Sequence, residues 1–105
     1  MKIKIVMLLC LLGLSSSVFA LEAFEGKVTV VEPSYLPGGV AFKMATGNTT
    51  CPAGTWLWWK NANSDNTKGV YSTLMTAVVS GKSVRFHFAD GDTTCVGLHL
   101  HLLDY

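Results

Sequence analysis

The chain has 105 residues, half of them hydrophobic, and its eight basic and seven acidic side chains give a formal charge of +1. A chain of this length is expected to form a single small domain. So balanced a charge provides no basic patch, which argues against binding to nucleic acid or to anionic lipid.

Residues 1–20 have the pattern of a secretory signal peptide. Lys2 and Lys4 precede a short apolar run, and small residues lead up to Ala20. The run is too short for a comfortable membrane span, so we expect cleavage after Ala20 and no membrane span in the mature protein. The mature chain, residues 21–105, then has six basic and seven acidic side chains, a formal charge of −1. We expect it to be secreted or periplasmic.

Cys51 and Cys95 are the only cysteines of the mature chain. In an oxidising compartment the expected outcome is one disulfide between them. In the chain-entropy treatment, closing a loop of roughly 45 residues stabilises the fold by about 4 kcal/mol. That contribution matters because the hydrophobic core of a domain of this size is barely sufficient to stabilise the fold by itself. The alternative is two unpaired, buried thiols.

Two short strands are predicted in the first part of the mature chain. Glu22 and Glu25 form a polar lead, and the β-branched residues over 26–32 favour a first strand. Proline and glycine at residues 36–39 break this strand in a turn. Residues 40–44 can return as a second strand, after which a loop rich in glycine and asparagine carries the first cysteine.

Residues 55–60, Thr-Trp-Leu-Trp-Trp-Lys, are the most unusual segment. As a third strand they place Trp56 and Trp58 on one face and Leu57 and Trp59 on the other. At least one indole is therefore expected to meet solvent or a partner.

The polar residues 61–68 are predicted to be a loop that leads to a helix within residues 68–82. Asn66 or Thr67 can cap its start, and Gly81 provides the left-handed residue that ends many helices. Apolar residues recur at the helical spacing and predict one buried face, made of Tyr71, Leu74, Met75, Val78 and Val79.

After the helix the sequence alternates with a period of two, which predicts a hairpin of two strands. In the first strand, Val84, Phe86 and Phe88 point one way, and the intervening residues point the other way. The tight connection contains Asp90-Gly91-Asp92. In the second strand the predicted buried row is Val96, Leu98, Leu100 and Leu102.

The predicted order is therefore βββαββ, mainly β with one α-helix. Five strands with a helix between the third and the fourth are the arrangement of a small Greek-key barrel of the OB type. We expect residues 21–105 to form one such OB-like domain. A plain α+β sandwich, with the helix across one sheet face, is the alternative.

The helix and the strand after it resemble a known family. Residues 70–77, Val-Tyr-Ser-Thr-Leu-Met-Thr-Ala, and residues 80–86, Ser-Gly-Lys-Ser-Val-Arg-Phe, resemble the helix-to-strand segment of the B subunits of subtilase cytotoxin and related pertussis-like toxins. There a similar run ends in Thr-Gly-x-x-Val-Arg-Ile. The chain also looks like a group of small secreted bacterial proteins that share the Gly-Lys-x-Val strand and a later cysteine.

This resemblance implies an OB fold, a ring of five subunits, recognition of cell-surface glycans and a separate catalytic chain. It covers about a third of the mature chain. The chain is shorter than the toxin subunits at both ends, and none of their sugar-binding residues is carried over to it.

Three histidines are candidate metal ligands. If the hairpin closes around residues 91–94, His87 lies opposite or nearly opposite His99, with Arg85 near His101. Three imidazoles from neighbouring strands are a donor set for Zn²⁺ or Cu²⁺ with one position open. The alternative is three polar residues on a solvated or inter-subunit sheet face. No cofactor is predicted.

No pattern in the sequence indicates an enzyme. The serines and threonines form no Gly-x-Ser-x-Gly elbow. Asp90 and Asp92 flank Gly91 and are expected to form a turn, not a catalytic carboxylate pair.

The sequence therefore predicts a secreted, non-enzymatic binding module that is similar to a toxin B subunit, binds a cell-surface glycan or another secreted protein, and forms a homo-oligomer. The predicted ligand-binding residues are Trp56, Trp58 and Trp59 for stacking and Asn61, Asn63 and Asp65 as hydroxyl partners. The tryptophans have two further interpretations: filling of the core, and a subunit interface. The alternative functions are a periplasmic metal-binding protein and a small inhibitor or complex subunit.

Overall fold

A computed structural model describes residues 20–105 of the chain, so the predicted signal peptide lies outside it except for Ala20. The described part is mainly β with one helix. Its elements are β1 (Leu21–Gly26), β2 (Val28–Glu32), β3 (Val40–Met44), β4 (Leu57–Trp59), α1 (Ser64–Ser80), β5 (Val84–Ala89) and β6 (Gly97–Leu102). The single helix of residues 20–105 lacks the length and apolarity needed to cross a membrane.

The strands form two antiparallel sheets of three strands each. The first sheet has the order β1-β5-β6 and the second has the order β2-β3-β4. The prediction of five strands in a closed barrel is therefore wrong, because residues 20–105 contain six strands in two separate sheets. The additional strand is β1, and only Lys27 separates it from β2.

The residues predicted to be a polar lead form strand β1, which pairs with β5 and contacts two loops. Phe24 lies opposite Phe86 of β5, and their ring centroids are 5.7 Å apart. Glu22, on the same strand face, accepts three hydrogen bonds from two loops: from Asn48 Nδ2 (3.0 Å), Thr50 Oγ1 (2.7 Å) and the Gly91 backbone N–H (2.6 Å). Chiefly the Gly91 N–H, and then the Thr50 hydroxyl, lower the pKa of the Glu22 carboxyl. A charged residue thus connects β1 to both loops.

The core lies between the inner faces of the two sheets and is closed on one side by the helix. The predicted alternation of β5 is confirmed, since Val84, Phe86 and Phe88 are fully buried. The second sheet and the helix contribute the remaining large buried side chains, namely Val28, Val40, Phe42, Met44, Leu57, Trp59 and Leu74. Such a core is small, so each of its contacts carries a large share of the stability.

The helix starts one turn earlier than predicted. Asn63, not Asn66 or Thr67, is its N-cap, and the Asn63 side chain accepts hydrogen bonds from the backbone N–H groups of Asp65 and Asn66. The residues predicted to be a polar loop therefore form the first helical turn. The predicted end is confirmed, because Gly81 has φ of 71° and its N–H bonds to the carbonyl of Ala77.

The buried face of the helix also differs from the prediction. Its buried residues are Thr67, Leu74 and Ala77, whereas Val79 is 82% exposed. Val70 and Tyr71 pack against the core on the same side, so the contact face is rotated around the helix axis relative to the prediction. Of the five predicted core residues only Leu74 is buried and Tyr71 is half-buried; the exposed ones are Met75, Val78 and Val79.

The predicted buried row of the last strand is confirmed only in part: Leu100 packs against the core and Val96 is half-buried, whereas Leu98 and Leu102 are exposed. Leu98 is 48% exposed and Leu102 is 43% exposed, while Gly97 is buried. A bulge accounts for Gly97 and Leu98: His87 is opposite His99, but the next residue, Phe88, is opposite Gly97. Leu102 lies outside the bulge, opposite Val84 near the end of the strand. Leu98 is the extra residue, and because β6 is at the edge of its sheet, no strand covers it.

The two sheets are joined at Cys95. The predicted disulfide is confirmed: Cys51 and Cys95 are bonded, with Cα atoms 6.0 Å apart. The Trp58 backbone N–H donates to the Cys95 carbonyl at 2.9 Å, and Trp58 forms an isolated parallel bridge with Val96. Cys95 has φ of 58°, which is the left-handed region that non-glycine residues rarely adopt. Its backbone is therefore held in place by a covalent bond and by a hydrogen bond to the other sheet.

A first prediction concerns Gly97. A Cβ at this position would lie 2.6 Å from Phe86 Cε1 and 2.8 Å from Trp59 Cε3, and neither buried ring has room to move. We expect Gly97→Ala to lower the free energy of unfolding by about 1–3 kcal/mol, measured by urea denaturation. Gly69→Ala is the matched control: a Cβ there meets no atom within 4 Å, so this helical change should stabilise by about 0.5–1 kcal/mol. Equal effects of the two variants would contradict the close packing at Gly97.

A second prediction concerns the pH dependence of stability. Because folding lowers the pKa of Glu22, its ionised form stabilises the protein above its unfolded pKa of about 4.3, and this contribution is lost as the pH falls through the lower folded pKa. We expect Glu22→Gln to be less stable than the wild type at pH 7, with a difference that shrinks as the pH approaches 3. Urea midpoints at several pH values measure it.

The other carboxylates are common to both proteins and cancel in this difference. Asp104→Asn, which removes an exposed carboxylate near the C-terminal end, is the control and should follow the wild type at every pH. A gap between Glu22→Gln and wild type that stays constant down to pH 3 would contradict the role assigned to Glu22.

Candidate functional site

The tryptophan segment alternates as the sequence predicts. Leu57 and Trp59 point into the core and are 1% and 7% exposed. Trp56 and Trp58 lie on the outer face of the second sheet, where Trp56 is 40% exposed and Trp58 is half-buried. The chain thus presents two of its three indoles on its surface, which is costly in water unless a partner covers them.

Trp59 has a structural role. Its ring lies in the core, and its indole Nε1 donates to Asn66 Oδ1 of the helix at 2.9 Å. A buried indole N–H needs such a partner. The predicted stacking role therefore falls to Trp56 and Trp58 alone.

The outer face of the second sheet carries a cleft of about 290 Å³, which we call the aromatic cleft. Its lining residues are Glu32, Tyr35, Ala41, Trp56 and Trp58. Glu32, Ala41 and Trp58 are aligned across three strands, so the small alanine forms the floor between the other two. Tyr35 comes from the turn after β2, and its ring centroid is 5.4 Å from that of Trp58. The cleft has the size of a small ligand group.

Charged groups surround these rings. Lys43 Nζ lies 4.5 Å from the Trp56 ring centroid, and Lys60 Nζ lies 5.0 Å from that of Trp58. The hydroxyl and the backbone N–H of Ser34 lower the pKa of Glu32, so this carboxylate is ionised at neutral pH. The aromatic cleft thus combines apolar faces with an anionic acceptor and two cationic donors.

The predicted hydroxyl partners lie elsewhere in the described chain. Asn63 caps the helix, and Asn61 Oδ1 accepts from the Asn63 backbone N–H at 2.8 Å. Asp65 is exposed in the first helical turn. The described lining of the aromatic cleft includes none of these three residues, so the structure does not bring them together with Trp56 and Trp58.

Sequence reasoning did not identify four residues around the cleft: Glu32, Tyr35, Lys43 and Lys60. Lys43 interrupts the otherwise apolar β3, which places its side chain on the outer face. Tyr35 is an aromatic residue within a turn between two prolines, where burial is not expected. Lys43 and Tyr35 could therefore have been assigned to the surface from the sequence, whereas the position of Glu32 depends on the register of β2 and β3.

The outer face of the first sheet carries the histidines, and their predicted register is confirmed. His87 is opposite His99, and Arg85 is opposite His101. The His87 ring centroid is 4.8 Å from that of His101 and 6.1 Å from that of His99. We call His87, His99 and His101 the histidine face.

One nitrogen of this face has no partner. His87 Nε2 is buried and forms no hydrogen bond within the described residues. Burial lowers the pKa of His87, and the nearby positive groups of His101, His99 and Arg85 lower it further. In residues 20–105 no three His, Cys, Asp or Glu side chains are arranged to hold a metal ion as they stand, so the three-histidine site stays a prediction.

An ion pair borders the histidine face. Glu25 Oε1 accepts from Arg85 Nη2 at 2.5 Å and from Arg85 Nε at 2.9 Å, and Glu25 Oε2 accepts from the Tyr105 hydroxyl at 2.9 Å. The pKa of Glu25 is lowered, first by its hydrogen bond from Arg85 and then by that from Tyr105. The charge of Arg85 is therefore largely balanced next to the histidines.

Comparison of this chain with protein-family models, with curated proteins and with solved structures found no match.

A third prediction tests the placement of the three indoles. We expect the double variant Trp56→Phe, Trp58→Phe, which keeps only Trp59, to show blue-shifted emission and little quenching by acrylamide, because Trp59 is buried. The complementary variant Trp59→Phe should show red-shifted, readily quenched emission from the two outer indoles. Easily quenched emission from the double variant would contradict the burial of Trp59.

Proposed function

We propose that this protein is a secreted, non-enzymatic binding module that recognises carbohydrate, as found on a cell-surface glycan, through the aromatic cleft. The observation that carries the proposal is the pair of surface indoles, Trp56 and Trp58, that line a cleft together with Tyr35 and an ionised Glu32. A soluble chain gains nothing from exposing such rings together unless a ligand covers them.

The chemistry of the cleft suits a sugar ring. The C–H face of a pyranose stacks on an indole, and its hydroxyls need both acceptors and donors at the rim. Glu32 supplies the acceptor, and Lys43 and Lys60 supply the donors. The backbone N–H of Ser34 donates to Oε1 of Glu32 at 3.1 Å and holds the carboxylate at the rim of the cleft. The cleft volume suits one sugar ring better than a long chain.

We also propose that the two sheets follow the strand path of an OB fold. Three features support this path. β1 and β2 are separated by Lys27 alone, so together they act as one bent strand that belongs to both sheets. The bridge between Trp58 and Val96 is parallel and joins β4 to the start of β6. Along the chain, the helix follows β4, the last strand of the second sheet, and precedes the hairpin of β5 and β6.

Self-association is part of the proposal, in line with the resemblance to toxin B subunits. The apolar side chains that are more than a third exposed on the helix and on the edge strand β6 support it: Met75, Val78, Val79, Leu98 and Leu102. Any catalytic activity would then reside in a separate chain.

A protein partner is the second candidate for the cleft. Tyrosine and tryptophan are the residues that most often anchor protein interfaces, and Trp58 lies between Tyr35 and Lys60 as such an anchor would. This is the interpretation as a small inhibitor or complex subunit, and the same experiment separates it from carbohydrate binding.

A fourth prediction tests the proposed ligand class. On a glycan array the oxidised mature protein should select a family of related glycans, and calorimetry with a selected glycan gives the affinity. We expect Trp58→Ala to weaken this affinity by at least about tenfold, because it removes a stacking surface at the centre of the cleft.

The control is Val79→Ala, which removes an exposed apolar side chain from the helix, outside the lining of the aromatic cleft, and should leave the affinity unchanged. An array without binding above background would contradict carbohydrate recognition and favour the protein partner. Binding that Trp58→Ala leaves intact would contradict the assignment to the aromatic cleft.

A further inference from the structure

The histidine face lies on the outer side of the first sheet, on a different sheet from the aromatic cleft. We propose that it binds one late first-row divalent metal ion, such as Zn²⁺, Cu²⁺ or Ni²⁺, with His87 and His101 as the two protein ligands. This inference is independent of carbohydrate binding.

The spacing of the two rings fits a shared ion. A zinc–nitrogen bond is about 2.1 Å, and the ring centroid lies roughly 1.1 Å beyond the nitrogen, so two imidazoles on one ion have centroids about 4.5 Å apart at a right angle and about 5.2 Å apart at the tetrahedral angle. The centroids of His87 and His101 are 4.8 Å apart, between these two values. Those of His87 and His99 are 6.1 Å apart, which is outside this range for ligands at neighbouring coordination positions.

The unbonded nitrogen of His87 is a second, independent observation. Buried polar atoms in folded proteins nearly always have a partner, and one that has none calls for a missing water or ion. His87 Nε2 is such an atom, and the neighbouring imidazole of His101 offers no alternative hydrogen bond to it. A metal ion shared with His101 would satisfy this nitrogen.

The backbone supports this pair rigidly. His87 is on the central strand of its sheet, and His101 is its diagonal neighbour on β6, two residues along from the directly opposite His99. Sites on paired strands hold their ligands more precisely than sites on loops. The exposed His101 can adjust its ring, while the partly buried His87 fixes the position of the ion.

The local charge and the donor type set the class of ion. Arg85 would repel a cation, but Glu25 balances its charge through two hydrogen bonds. Neutral imidazole nitrogen prefers zinc, copper and nickel to magnesium or calcium, which take oxygen ligands. With two protein ligands, water would complete the coordination shell.

The test is a Zn²⁺ titration by calorimetry, at neutral pH, on the mature protein without a histidine tag. We expect one saturable site per chain. His101→Gln should weaken Zn²⁺ binding by at least about tenfold, as the loss of one of two ligands requires. His99→Gln is the matched control, since it removes an imidazole from the same strand and the same face, and it should weaken binding much less. Copper-loaded protein should show coupling to two imidazole nitrogens by electron paramagnetic resonance.

Several results would overturn the proposal: no saturable Zn²⁺ binding, binding that survives His101→Gln, or a loss from His99→Gln as large as that from His101→Gln. His101 is exposed, so its replacement is not expected to unfold the protein; circular dichroism of each variant checks this. His87→Gln provides the second arm, and retention of binding in that folded variant would equally reject the site.

Discussion

The structure depends on the junction at Cys95, where one residue fixes the two sheets to each other. Its sulfur is bonded to Cys51, and its carbonyl accepts from the Trp58 N–H, so the tryptophan strand is held in one register beside the start of β6. Side chains of a strand alternate between faces, and a slip by one residue would exchange the inner and outer indoles. The same junction therefore decides that Trp59 fills the core and that Trp58 faces outward.

Much of this arrangement could be predicted from the sequence, because it depends on local patterns. Period-two alternation identified the buried face of β5 and the division of the indoles. Residues 21–105 contain only two cysteines, so one pairing was available there, and glycine, as at Gly81, is the residue type that most often ends a helix. The pairing of His87 with His99 followed from the position of the turn that connects β5 and β6. The outward position of Trp56 and Trp58 needed no knowledge of the rest of the fold.

Apart from the helix start, where the local cap at Asn63 was missed, the errors come from contacts that a local pattern does not show. Glu22 looks like part of a polar lead until two loops bring hydrogen-bond donors to it. The helix was expected to bury its larger apolar residues, but the face that meets the two sheets is the one with Thr67 and Ala77. A single bulge at Phe88 turned Gly97 inward and left Leu98 exposed, and periodicity contains no sign of such a bulge. The lining of the aromatic cleft needed the same long-range information.

The cystine also encloses a large part of the fold. The 44-residue separation of its two halves spans β4, the helix and β5. The exposed residues 60–63, just before the helix, are the type of segment that proteases cut. A cut there leaves two fragments that stay covalently linked, so the strands remain at high effective concentration and can keep their pairing. The nicked protein would migrate as one species until a reductant is added, so loss of the chain connection at residues 60–63 would not by itself separate the two sheets.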